Sequence, residues 1–254
     1  MKAAVAQVKL YNNMDTNLIT ISKYISQASK EDIDLLCFPE CNITGYARDF
    51  TKVNQNEVKD MLNIIQKQVT HNCVNVIVGA PYLERKKRFN SAVVLLTNGR
   101  RHIYHKINLT SSDEAYFEKG KEPLIFQLGD VKCGVLICRD QNDPKLAYEY
   151  KKLGADAIFI LSAHFYAPIE AIRKVNKNRA LPIARAVENN LFVLKANAVG
   201  TINEKISLGG SLIIDPEGFV VREGNNITEM VLSYEISKGD EQQENDFIFH
   251  NPYL

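Results

Sequence analysis

Val131-Lys132-Cys133-Gly134-Val135-Leu136-Ile137-Cys138 runs directly into Arg139-Asp140-Gln141-Asn142-Asp143-Pro144. An apolar run of strand length that breaks at a polar turn reads as a buried strand leading into a helix, here 144–153, with Gly154 marking its end. Working outward, a strand at 156–161, a long helix at 170–190 and a strand at 191–196 follow. Strands at 211–215 and 219–222, split by Pro216-Glu217-Gly218, read as a hairpin. The first half repeats the alternation. A strand at 3–10 precedes a helix with Leu18, Ile21, Ile25 and Ala28 on one face. A short strand at 34–38 precedes a second helix marked by Val58, Met61, Leu62, Ile65 and Val69. Strands at 75–80, 92–96 and 101–105 come next, then a polar loop at 106–121. Strands alternating first with helices and then with hairpins predict an α/β layered fold with helices outside a mixed sheet. No repeat or Gly/Ser/Pro-rich linker divides the 254 residues, so one domain over 1–254 is expected.

Composition narrows the function classes. Thirty-one basic residues against thirty acidic ones give a net charge of +1, which supplies no global field for nucleic acid or an anionic membrane. The longest apolar runs fall far short of a bilayer's thickness. The opening Met1-Lys2-Ala3-Ala4-Val5-Ala6-Gln7 turns polar too early for a secretory signal. Five cysteines, an odd set, then point to reduced thiols and a cytoplasmic setting. The basic knot Arg85-Lys86-Lys87-Arg88, lying between strand-like runs, reads as a solvated hairpin turn.

Four strand ends carry candidate chemistry. Cys37 and Cys133 lie inside apolar strands and read as small buried hydrophobes. Cys138 instead closes its strand before a polar turn, where α/β proteins place ligands. Arg139 and the following helix N-terminus would favour a thiolate there. Taken alone, the position is open between a nucleophile and core packing. Glu40 follows Leu35-Leu36-Cys37-Phe38-Pro39, and a carboxylate partly withdrawn from water suits general-base work; a solvated loop glutamate is the plain alternative. Lys106 ends the strand at 101–105 and, taken singly, is a surface lysine. His164 follows Leu161-Ser162-Ala163 at another strand end and is expected to face the same pocket, as a substrate contact or in loop packing. Tyr46, Tyr116 and Phe165 are candidate pocket walls by similar placement. The spacings Cys37/Cys41 and Cys133/Cys138 carry no matching His pair, so no metal site is expected. No phosphate-binding glycine loop stands out either, since Gly209-Gly210 alone is no fingerprint.

Together these stretches resemble the nitrilase, or carbon–nitrogen hydrolase, superfamily. The resemblance rests on Phe38-Pro39-Glu40 with Thr44-Gly45-Tyr46, on Lys106-Ile107-Asn108-Leu109, and on Gly134-Val135-Leu136-Ile137-Cys138, in that order. Weaker matches run along nearly the whole chain: Ala4-Val5-Ala6-Gln7, Phe89-Asn90-Ser91-Ala92, Tyr116-Phe117-Glu118-Lys119-Gly120, Ala184 to Asn190, Ala196-Asn197-Ala198-Val199-Gly200, and Gly210-Ser211 with Asp215-Pro216-Glu217-Gly218. The chain departs from the pattern after the cysteine. Arg139 stands where the family commonly has an aromatic residue, Asp143 and Lys145 flank Pro144, and Tyr148 stands where the family has an arginine. These positions are expected near the pocket mouth and bear on substrate choice.

The resemblance implies a four-layer αββα sandwich, a Glu40–Lys106–Cys138 triad, and hydrolysis of a non-peptide C–N bond through a cysteine thioester. It implies no cofactor. Glu114 matches a second glutamate that positions the lysine and substrate, and the backbone N–H of Arg139 joins Lys106 in stabilising the oxyanion. A small amide is the expected substrate, with an N-carbamoyl amine or amino acid as the alternative and a catalytically silent binding protein on the same fold as the rival of another class. Arg139, Arg173 and Arg179 are candidates for holding a substrate carboxylate; Asp140 or Asp143 could serve a cationic substrate. A homodimer or larger homo-oligomer is implied, with residues 240–254 expected to pack on the body or on a partner subunit.

Overall fold

A computed structural model describes residues 1–46 and 49–238; the expected packing tail at 240–254 lies outside them. The first sheet is built from β1 (Lys2–Gln7), β2 (Leu35–Cys37), β3 (Asn75–Glu84), β4 (Lys87–Leu95), β5 (Arg101–His105) and a late strand, β14 (Met230–Glu235), in the order β14-β1-β2-β3-β4-β5. The second sheet is built from β6 (Ile125–Leu128), β7 (Val131–Ile137), β8 (Ala157–Ser162), β9 (Phe192–Asn197), β12 (Leu212–Ile214) and β13 (Val220–Glu223), in the order β13-β12-β9-β8-β7-β6. β10 (Val199–Ile202) and β11 (Lys205–Leu208) form a separate hairpin. The helices are α1 (Met14–Lys30), α2 (Gln55–Asn72), the one-turn α3 (Ser111–Glu114), α4 (Pro144–Lys152) and α5 (Pro168–Asn189).

Side-chain alternation along each strand stacks these elements into four layers. Ala4 and Ala6 of β1, with Leu36, Val76 and Val78, meet Ile21, Ile25, Leu62 and Ile65 of α1 and α2. The opposite faces, Ala3, Val5, Leu35 and Ile77, meet Val135, Ile137, Phe159 and Leu194 of the second sheet. The outer face of that sheet, Leu136, Ile158, Ile160 and Val193, is covered by Leu146 and Tyr150 of α4 and Ala186 of α5. The arrangement is the expected αββα sandwich. It also explains why the strands read as continuous apolar runs: most are buried on both faces.

Several details differ from the sequence reading. The β3–β4 hairpin is longer than expected, and Arg85 and Lys86 form its exposed turn with φ of 46° and 67°. The loop at 106–121 contains α3. The strands β6, β11 and β14 lack a strong apolar run and are fixed by partners; β14 pairs antiparallel with β1, from Lys2↔Glu235 to Gln7↔Met230.

The parallel strands β1, β2 and β3, and likewise β7, β8 and β9, end on the same side of the sandwich. Glu40, Cys138 and His164 follow β2, β7 and β8 there, and β5, which runs the same way as β3 because both pair antiparallel with β4, ends there too and delivers Lys106.

Candidate active site

Glu40 is fully buried, and the chain around it is held by close backbone packing. Asn42 Oδ1 accepts from Gly79 N at 3.0 Å and Ile43 N donates to Gly79 O at 3.1 Å. A Cβ on Gly79 would lie 2.4 Å from Cys41 N and 2.7 Å from Pro39 O, so β3 can approach this turn only through glycine. Glu40 Oε1 accepts from Lys106 Nζ at 2.7 Å and from Asn90 Nδ2 at 2.8 Å. Its other oxygen, Oε2, is buried and has no hydrogen-bond partner among the described residues.

Lys106 is buried between two carboxylates, for Asp113 Oδ2 accepts a second hydrogen bond from Nζ at 2.8 Å. Burial works against its charge, but Glu40, Cys138 and Asp113 outweigh burial and hold its pKa well above the ordinary lysine value. Burial likewise opposes the charge of Asp113, yet Lys106 and the hydrogen bonds from Lys106 and Thr110 bring that carboxyl below its usual range. The α3 turn sets this up through a capping box: Thr110 Oγ1 accepts from Asp113 N at 3.1 Å, and Asp113 Oδ2 accepts from Thr110 N at 2.9 Å. An ammonium has three donors, so one N–H of Lys106 is left over after both carboxylates.

Cys138 begins the 3₁₀ turn Cys138–Asn142 with φ of 46°, in the left-handed region. A non-glycine residue held there carries roughly 1–3 kcal/mol of backbone strain, typical of residues presented at a site. Burial first, and Glu40's charge second, push the thiol well above its ordinary pKa; Lys106 and the hydrogen bond to the Ala163 backbone act the other way but do not overcome them. The thiolate that Arg139 was expected to favour is thus opposed by burial and Glu40, and Arg139, whose side chain is exposed, is not among the main groups acting on the thiol.

Asp140 ties the cysteine turn to the lysine loop. Its Oδ1 accepts from Asn108 N at 2.7 Å, and its Oδ2 accepts from Tyr104 Oη at 2.8 Å and Ile137 N at 3.0 Å. Burial raises its pKa to about 6 against these hydrogen bonds.

The resulting cleft, of about 830 Å³, is lined by Lys106, Asp113 and Cys138 together with Tyr46, Phe50, Tyr116, Phe165 and Tyr166. The rings form one network: Tyr46 lies 5.7 Å from Phe165 and 6.4 Å from Phe50, and Phe50 lies 5.6 Å from Tyr116. The β10–β11 hairpin closes one side with Asn203, Glu204 and Lys205, held by the paired backbones of Tyr166 and Ile206.

The structure thus brings together Glu40, Lys106, Cys138, Tyr46, Tyr116, His164 and Phe165. It does not bring in Glu114, which is half exposed and pairs with Lys119 at 3.5 Å; the carboxylate on Lys106 is its neighbour Asp113. Arg139 is in the solvent and does not line the cleft, and neither do Lys145 or Tyr148, so these departures from the family pattern lie on the outer surface. Arg173 pairs with Glu170 and Arg179 with Glu223, both outside the cleft. Asp140 is committed to the turn, and Asp143 accepts from Lys145 N to cap α4. The sequence reading missed Asp113, Asn90, Phe50 and Tyr166. For Asp113 the signal was present, as Thr110-Ser111-Ser112-Asp113 is a capping-box pattern. No group of three or more His, Cys, Asp or Glu side chains among the described residues is arranged to hold a metal ion, and no described helix is long and apolar enough to cross a membrane.

Known proteins resemble this chain in sequence and in shape. A probable nitrilase of Schizosaccharomyces pombe is 31% identical over 257 residues, covering 94% of this chain and 90% of the relative. An (R)-stereoselective amidase of a Pseudomonas species is 28% identical, over 76% of this chain and 69% of the relative. The crystal structure of an amidase from a Nesterenkonia species superposes with a TM-score of 0.84 at 22% identity, covering 94% of this chain and 90% of that one. The carbon–nitrogen hydrolase family pattern matches residues 2–244. The chain belongs to the carbon–nitrogen hydrolase family.

Proposed function

We propose that the protein is an amidase that cleaves the C–N bond of a small amide through a thioester on Cys138, releasing ammonia. The observation that carries this reading is that Lys106 and Cys138 line one cleft while Glu40 accepts from Lys106 at 2.7 Å, with its Oε2 buried and unpartnered among the described residues. Glu40 takes the thiol proton as Sγ attacks the amide carbon. A base is needed because the raised thiol pKa leaves little thiolate at neutral pH. The oxyanion that forms is met by the remaining N–H of Lys106 and by the backbone N–H of Arg139; one such donor is worth about 3–4 kcal/mol in the transition state. Glu40 returns its proton to the leaving nitrogen, ammonia departs, and water activated by the same carboxylate hydrolyses the thioester. Asp113 takes the positioning role expected of Glu114, and Asn90 fixes the Glu40 carboxylate.

Ammonia release from a panel of aliphatic amides, ω-amides and N-carbamoyl amines and amino acids, run beside Cys138→Ala, tests the reading. Turnover that disappears in the variant is expected. Carbon dioxide released with the ammonia would assign the N-carbamoyl activity instead, and silence of the wild type on every compound would favour a binding protein on this fold. A homodimer and a cytoplasmic setting remain part of the reading; light scattering of the purified chain tests the first.

A further inference from the structure

Lys195 has no place in this chemistry. It lies on β9 and faces α5, with 1% exposure. Its Nζ donates to Asn178 O at 2.8 Å, and among the described residues no carboxylate pairs with it. A buried ammonium ordinarily has a counter-charge or a full set of acceptors; here two of its three donors have neither. Beside it is a cavity of about 50 Å³, whose polar lining includes Lys195, His164, Tyr166, Asn178 and Asn197, with the Arg179–Glu223 ion pair also on its wall. That volume takes a group of a few heavy atoms, since one water occupies about 30 Å³ of liquid.

His164 is the wall between this chamber and the active-site cleft, for it lines both. Its ring is 95% buried by the residue's 5% exposure, and its Nδ1 has no partner, while Nε2 faces the Gln141 amide at 3.5 Å. Burial first, and then the positive charges of Lys195, Lys106, Lys174 and Lys177, hold its pKa well below the ordinary histidine value. The nearby carboxylates are spoken for: Glu170 pairs with Lys174 at 2.9 Å and Glu223 with Arg179 at 2.9 Å. The chamber therefore combines unused buried donors with a surplus of positive charge.

We infer that Lys195 and His164 form an internal site for a small carboxylate-type anion, adjoining the catalytic cleft. The anion accepts from the free N–H groups of Lys195 and from His164 Nδ1 in its protonated tautomer. It is either a free anion of formate or bicarbonate size, or the carboxylate of a substrate reaching past His164. Burial brings the lysine's pKa down to about 8, and an anion beside it would restore its charge.

Formate is the probe, titrated at constant ionic strength against gluconate, which is too large for the chamber. A saturable rise in Tm of about 3 °C at ten times the dissociation constant is expected for the wild type. It should vanish in Lys195→Met, which keeps the apolar length of the side chain, and persist in Lys87→Ala on the exposed β3–β4 hairpin, which lines neither cavity. This readout does not require turnover, so it stands apart from the amidase reading. The two sources are separated on any amide found to turn over. If the substrate carboxylate occupies the site, formate competes with a carboxylate-bearing amide and Lys195→Met lowers kcat/KM for it more than tenfold relative to a neutral amide. If a free anion occupies it, both amides respond alike. A wild type without a saturable shift, meaning a chamber that holds water only, or a shift unchanged in Lys195→Met, overturns the inference.

Discussion

Replacing Asp113 by Asn leaves the side chain's size and removes its charge. Lys106 then loses one of its two charge-assisted hydrogen bonds, at 2.8 Å, and Thr110 N loses a charged acceptor at 2.9 Å. A hydrogen bond to a charged group is worth about 1.5–3 kcal/mol, and the position is largely buried, so a stability loss of that order is expected in urea unfolding. If the same energy holds Lys106 in place for the transition state, kcat falls about 10- to 150-fold at 1.36 kcal/mol per decade. Glu114→Gln removes only a half-exposed pair with Lys119 at 3.5 Å; such pairs contribute at most about 1 kcal/mol, and kcat should stay within about twofold. Acid titration adds a sign. The carboxyl of Asp113 is lowered on folding, so its contribution is complete above the unfolded-state value near 3.8 and is lost as pH falls below it. The wild type should lose stability there more steeply than Asp113→Asn. A crippled Glu114→Gln beside a normal Asp113→Asn would refute this reasoning.

Other consequences follow from the same geometry. Asn90→Ala leaves Glu40 Oε1 with Lys106 alone and is expected to cost about 1–3 kcal/mol in thermal or urea unfolding, with a fall in kcat. Gly79→Ala forces a methyl group to within 2.4 Å of Cys41 N; a loss of about 1–3 kcal/mol and a displaced Glu40 should appear as a lower Tm and reduced turnover. Asp140 should titrate near 6 by carbon-13 NMR of labelled aspartate, separately from Asp113. Because its pKa is raised on folding, the stability it lends is complete below the unfolded value and lost as pH climbs through about 6. Alkylation of Cys138 by iodoacetamide should keep accelerating beyond about pH 9, since burial and Glu40 hold the thiol protonated; a plateau below about pH 8 would contradict that.

The layered fold was legible because strands buried on both faces leave unbroken apolar runs, as in Val131 to Ile137 and Ala157 to Leu161. Glu40 and Cys138 were legible for a related reason: each is the first polar or reactive side chain after such a run, whereas Lys106 follows Arg101-His102-Ile103-Tyr104-His105 and read as a surface lysine until the family resemblance implied its role. The choice between Asp113 and Glu114 was not legible. One residue along a helical turn rotates a side chain by about 100°, and here the capping box with Thr110 turns Asp113 inward and leaves Glu114 in the solvent. Arg139, adjacent to Cys138 in sequence, is carried outward by the 3₁₀ turn in the same way. Asn90, Asp140 and Lys195 gain their meaning from partners 50, 36 and 17 residues away, which no local pattern displays. β14 reads weakly because its residues are only partly buried and its place is set by β1.

The most direct test is to quench the enzyme during turnover of the best amide from the panel and weigh the peptide that contains Cys138. A transient adduct on Cys138, with the mass of the substrate less ammonia, is the expected result, absent from Cys138→Ala. Ammonia production with no adduct on Cys138, or undiminished in Cys138→Ala, would contradict the thioester mechanism.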